Sequence, residues 1–181
     1  KSFPGSTPAY FMIAVDRNGD ASYNESQDPD NAEKLTLEPA VVTQMFGLAD
    51  KLDHFRKPIE SGLKVANTGA KTLRWENGAE KSETKYNYST IEDARVLGDY
   101  FERIGECTRV LVELKRALRH DRLGVNAGVN NIQALWNNKR LLATPQFLIV
   151  LDQVAANESY VHMARERAAQ IADAIRATPP K

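Results

Sequence analysis

Glu158, His162 and Glu166 recur at four-residue intervals in a segment of helical period, so a single helix would carry all three on one face. Carboxylate and imidazole donors suit a divalent ion, which makes this set the metal-site candidate of the chain. The same spacing arises on a solvated helix face, where Arg165 and Arg167 can pair with the acids, and the H-E-x-x-H pattern is absent. Asp28, Asp30 and Glu33 offer a looser oxygen site suited to Ca²⁺. The run Asp16-Arg17-Asn18-Gly19-Asp20 does not make an EF-hand loop. Counted from Asp16, the glycine is fourth and position twelve is Gln27; counted from Asp20, position six is Glu25.

Three other groups invite a chemical reading. His120-Asp121 could form an acid–base pair, but between two helical segments, beside Arg119 and Arg122, a helix C-cap is the simpler role. Cys107 is the single cysteine, so an intramolecular disulfide and a cysteine zinc cluster are both excluded; its place near an apolar stripe reads as a buried structural thiol. Trp136 with Asn137, Asn138, Lys139 and Arg140 is either a core tryptophan with a solvated helix end or a partner anchor, in which Trp136 and Arg140 make the contact. No G-x-S-x-G, phosphate-cradling glycine loop or dinucleotide fingerprint occurs, and no cofactor is implied.

The elements that must position these groups divide at two Asn-Gly pairs, Asn18-Gly19 and Asn77-Gly78, each a tight-hairpin signal between runs of strand character. A two-residue loop at the first predicts pairing of Ala14 with Tyr23 and Asp16 with Ala21. At the second it opposes Glu76 to Ala79 and Leu73 to Ser82. Leu73 and Trp75 then share one face with Thr84, Tyr86 and Tyr88, while Arg74, Glu76, Lys81, Glu83 and Lys85 form a wet one. Residues 26–34 read as a loop. A helix over residues 35–55 follows, capped by Thr36, with Pro39 in its first turn and a stripe of Val41, Val42, Met45, Leu48, Ala49 and Leu52 seated on the aromatic sheet face.

From Thr90 the period is helical. A capping box over residues 90–93 opens a stripe of Ile91, Ala94, Leu97, Phe101, Ile104, Leu111, Leu114 and Leu118, running to His120. Such a helix is about 45 Å long, more than the sheet can cover, so its C-terminal half must meet other helices. A shorter helix weakened by Gly124 and Gly128 reaches Arg140. A last stripe from Phe147 to Ile175 starts at Thr144-Pro145, ends before Pro179-Pro180, and has room for a break near Asn157.

Composition narrows the classes. The 24 basic and 24 acidic side chains cancel, with 11 against 13 over residues 1–90 and 13 against 11 over 91–181, so neither half has the cationic excess that nucleic acid or an anionic bilayer would attract. No apolar run approaches the roughly 20 residues of a transmembrane helix. Residues 1–9, rich in Ser, Pro and Gly, read as a tether. With the start at Lys1 they lead to the expectation of an exported chain, periplasmic or secreted and in one form lipid-anchored, against a fragment of a larger cytoplasmic protein.

Over residues 10–106 the order hairpin, helix, hairpin, helix resembles an uncharacterised bacterial domain family of exported and lipid-anchored proteins. The resemblance is carried by the D-x-x-G-x-x-x-Y-like run from Asp16 to Tyr23 and by Leu52-Asp53-His54-Phe55. It implies a fold and a location and transfers no catalytic residue. The expected architecture is α+β, two antiparallel hairpins in one sheet with a helix packed on it over residues 10–106, then a helical bundle over 107–181. The expected function is non-enzymatic binding or scaffolding in the cell envelope or outside it, through a protein partner or self-association along the long helices. The competing expectation is a metal-dependent binder or enzyme using Glu158, His162 and Glu166.

Overall fold

The computed structural model describes residues 1–26 and 28–178; Gln27 and the Pro179-Pro180 end lie outside them. Asp16 organises the first turn. Its Oδ1 accepts the N–H groups of Asn18 at 2.9 Å and Asp20 at 3.0 Å, and Gly19 N–H closes onto Asp16 O at 3.1 Å. Gly19 sits at φ +93°, so the loop takes three residues, a turn followed by a left-handed glycine. That extra residue shifts the expected register by one. In β1 (Met12–Val15) and β2 (Asp20–Asn24), Ile13 opposes Tyr23 and Val15 opposes Ala21.

The expected loop and helix start give way to a strand and a later helix. Glu33–Thr36 is a strand, β3, antiparallel to β2, with Leu35 opposite Ala21 and buried while Glu33, Lys34 and Thr36 face out. α1 (Pro39–Lys51) starts only at the proline, because Glu38 at its N-cap is extended at ψ 144°, as a residue before proline must be. Thr36 caps nothing; its backbone N–H is bound by Gln146 Oε1 at 3.2 Å.

The second hairpin, β4 (Lys71–Asn77) with β5 (Glu80–Tyr86), turns through Gly78 and Ala79, so Leu73 opposes Thr84 and Trp75 opposes Ser82. The two-residue shift from the expected register preserves the faces: Leu73, Trp75, Thr84 and Tyr86 are buried, and Arg74, Glu76, Lys81, Glu83 and Lys85 are exposed. The hairpins do not join in one sheet. β1, β2 and β3 form one sheet and β4 with β5 another, because β3 occupies the free edge of β2. Residues 1–9 lie against the body, where Ser2 exchanges backbone hydrogen bonds with Ala70 at 2.9 and 2.8 Å.

The fold is α+β, as expected, and α2 (Glu92–His120) runs through both halves. Its N-terminus has no capping box; Ser89 Oγ accepts the N–H of Ile91 at 3.2 Å instead. Ala94, Leu97, Ile104, Leu111 and Leu114 are buried, and the helix packs on α1 and on the three-stranded sheet. Beyond the sheet it meets α3 (Gly124–Asn137), where the absence of a side chain at Gly128 lets the helices close, since a Cβ there would lie 2.9 Å from Leu114 Cδ1. α4 (Thr144–Ala156) and α5 (His162–Ala177) pair with each other, and α5 packs on α3. One apolar core, from Ala21 to Ile175, spans all these elements. No helix among the described residues is long and apolar enough to cross a membrane.

Candidate functional site

The connections of the helical half use up several of the side chains singled out above. α5 begins at His162, so Glu158 lies in the preceding turn and the three-residue helix face does not form. His162 and Glu166 are exposed and 3.9 Å apart. Asp28 spends its carboxylate on the N–H of Asp30 at 3.1 Å and the amide of Asn31 at 3.0 Å. Among the described residues no group of three His, Cys, Asp or Glu side chains is placed to hold a metal ion. Asp121 Oδ1 accepts the N–H of Gly124 at 3.0 Å, fastening the start of α3 rather than pairing with His120.

Arg140 turns inward. Its guanidinium binds both oxygens of Glu106, at 2.5 and 3.0 Å, and Asp99 at 2.9 Å, and these hydrogen bonds, Glu106 foremost, push its pKa further up. Its carbonyl faces Cys107, whose sulfur accepts the N–H of Leu142 at 3.3 Å. Cys107 is buried and burial raises its thiol to about 11, so it is a packed structural thiol. Trp136 is half-buried against the core, so the Trp136/Arg140 pair splits between packing and a half-exposed ion cluster with Asp99 and Glu106.

A different set converges where α1 ends. Asp53, His54 and Phe55 take φ values of 52°, 50° and 64°, three successive non-glycine residues in the left-handed region. Each costs about 1–2 kcal/mol, so the surroundings must over-determine this turn. Phe55 is buried, the hydroxyl of Ser82 on β5 donates to the His54 carbonyl, and Asp53 accepts from Arg56 at 2.9 Å while Arg56 also pairs with Glu80. That bond from Arg56 holds the Asp53 carboxyl below its ordinary range.

The turn lays the His54 ring flat on Trp75, with centroids 4.2 Å apart and planes 13° from parallel. Phe46 meets the same indole edge-on at 5.7 Å. From the tip of the first hairpin Arg17 reaches over both rings, its guanidinium carbon 4.6 Å from the Phe46 centroid and 5.6 Å from that of Trp75. Arg17 is exposed and, among the described residues, has no carboxylate in ion-pair range.

His54 Nε2 lies 2.8 Å from Asp50 Oδ1, one helical turn back on α1. The other ring nitrogen, Nδ1, is buried without a partner, as is Trp75 Nε1. A general base must reach the proton it removes, and this imidazole presents no free nitrogen to solvent. What the cluster presents is a guanidinium on an aromatic shelf. Neither Arg17 nor Asp50 stands out in the sequence; the i, i+4 pair of Asp50 and His54, at the end of an apolar stripe, is the one signal pointing here.

Comparison with protein-family models, with curated proteins and with solved structures finds no match to this chain.

Proposed function

We propose that the chain is a non-enzymatic binding module whose contact surface is the ledge made by Arg17, Phe46 and His54 over Trp75. The observation that carries this reading is the strained left-handed turn 53–55, which holds His54 against Trp75 beneath an exposed arginine without an acidic partner. Arginine and aromatic side chains on a rigid support are the residue types that dominate binding energy at protein interfaces. The partner this surface suits is a protein segment carrying a carboxylate, which the guanidinium can take in two parallel hydrogen bonds without leaving the rings.

The location that goes with this reading is the cell envelope or the exterior, as a periplasmic, secreted or lipid-anchored protein. It rests on the resemblance of residues 10–106 to domains of exported proteins. An enzyme built on Asp50 and His54 is the competing reading, favoured by their 2.8 Å contact and opposed by the buried Nδ1.

A photo-crosslinking residue placed at position 17 of the chain, expressed in its native host, tests the ledge. The expected result is one discrete crosslinked protein, absent when the same residue replaces exposed Lys115 on α2. Equal labelling at both positions would sink the ledge as the contact surface. Fractionation of the same cells tests the location, which fails if the chain is found only in the cytoplasm.

A further inference from the structure

The segment before β1 lies beside α2 and leaves a cleft of about 200 Å³, lined by none of the ledge residues. Phe3, Pro8 and Phe11 give it apolar walls, and Arg109 of α2 is among the side chains that line it. At about 30 Å³ per water, this space holds a ligand of several heavy atoms and is smaller than a drug-sized pocket.

The acidic side chains of the cleft are already matched, and one basic side chain is not. Both oxygens of Glu106 are taken by Arg140, and Glu102 by Lys1 Nζ at 3.1 Å. The Tyr23 hydroxyl donates to Glu25 at 2.6 Å, and burial together with that bond keeps it protonated. Arg109 is left over. Its Nε is buried without a partner, its Nη1 reaches only the Thr7 carbonyl at a long 3.4 Å, and among the described residues no carboxylate lies within 4.0 Å of it. A guanidinium is always charged, so a half-buried one with unused donors calls for an anion. Glu102 and Glu106 line the same cleft, which disfavours a dianion such as phosphate, and the phenyl walls call for an apolar body rather than a bare ion.

We propose that this cleft binds a small monocarboxylate with an apolar body, its carboxylate on the Arg109 guanidinium and its body against Phe3, Pro8 and Phe11. The site is independent of the Arg17 ledge and stands or falls without it.

Benzoate is the probe, with benzamide as its neutral isostere, titrated into the full chain and followed by backbone amide NMR shifts. The expected result is saturable shifts confined to residues 3–11 and the 102–109 stretch of α2, weakened by added salt, with benzamide at least tenfold weaker. Arg109→Gln should lose binding tenfold or more, and Arg109→Lys should retain part of it. Equal binding of benzoate and benzamide to the unaltered chain would overturn the proposal, a comparison that needs no variant to fold. So would shifts centred elsewhere, or a folded Arg109→Gln with unchanged affinity.

Discussion

The carboxylate of Glu38 closes the N-terminus of the helix that begins at Thr144, 106 residues further along the chain. Oε1 accepts the Thr144 N–H at 2.7 Å and its hydroxyl at 2.6 Å, while Oε2 accepts the Ala143 N–H at 2.9 Å. The α4 terminus has no cap of its own, because Ala143 at its N-cap has no polar side chain and stands at φ 54°. One residue at the mouth of α1 therefore satisfies the free N–H groups of α4 and complements its dipole. The same contact ties the sheet-bearing half to the helical one.

Glu38→Ala should destabilise the chain by about 2–3 kcal/mol, from lost charge-assisted bonds and two stranded N–H groups. At this chain length that is roughly a 4–12 °C fall in the melting midpoint, read by calorimetry. A change below about 0.5 kcal/mol would show that the cap carries no weight.

The two Asn-Gly turns should respond differently to the same substitution. At Gly19 a Cβ would lie 2.7 Å from the Leu37 carbonyl oxygen and 3.3 Å from Val42, on a backbone at φ +93°. At Gly78 it would meet nothing within 4 Å, and only φ +60° opposes it. Gly78→Ala should cost about 1 kcal/mol, the left-handed penalty alone, and Gly19→Ala about 3 kcal/mol through added overlap with rigid backbone. Urea denaturation of the two variants side by side checks this; equal losses would mean that Leu37 moves aside freely.

Hairpins and helices were legible in the sequence where one chemical signal dominates. The stripes of α1 and α2 show their period in residues such as Met45, Ala49, Leu97, Ile104 and Leu111, all buried. The faces of the second hairpin read correctly despite a two-residue slip, since strand faces repeat every two residues, whereas the single-residue slip at Gly19 reverses them in the first. β3 was hidden because four residues with one buried side chain, Leu35, sit between a polar run and a proline. The ledge was illegible for a different reason. Arg17, Phe46, His54 and Trp75 come from a turn, a helix, a strained segment and a strand, and only their tertiary meeting gives them a shared role.

The left-handed turn makes its own prediction at Asp53, the half-buried first residue of the three. Glycine is at home at φ 52°, so Asp53→Gly should be close to neutral, relief of strain offsetting lost contacts to Arg56 and Lys57. Valine is β-branched and disfavoured there, so Asp53→Val should lose about 1–2 kcal/mol relative to glycine. If both variants unfold at the same denaturant concentration, the turn is not held left-handed in solution, and the support for the ledge goes with it.

Cys107 supplies a test of burial through pH. Burial raises its thiol from 9.0 to about 11, the remaining neighbours acting in both directions. The folded chain therefore holds this proton more tightly than the unfolded chain does. The resulting stabilisation is fully present below about pH 9 and is lost as pH rises through about 11. Tyr86 is also raised, to about 12, and contributes its own loss at still higher pH, so the cysteine is isolated by difference. Stability measured by urea denaturation between pH 8 and 11 should fall more steeply in the unaltered chain than in Cys107→Ala. Thiol labelling supplies the kinetic counterpart: a disulfide reagent should react with Cys107 slowly at pH 8 and fast once urea unfolds the chain. Parallel pH profiles together with rapid labelling of the folded chain would place the sulfur at the surface, against its packing beneath the Arg140–Leu142 backbone.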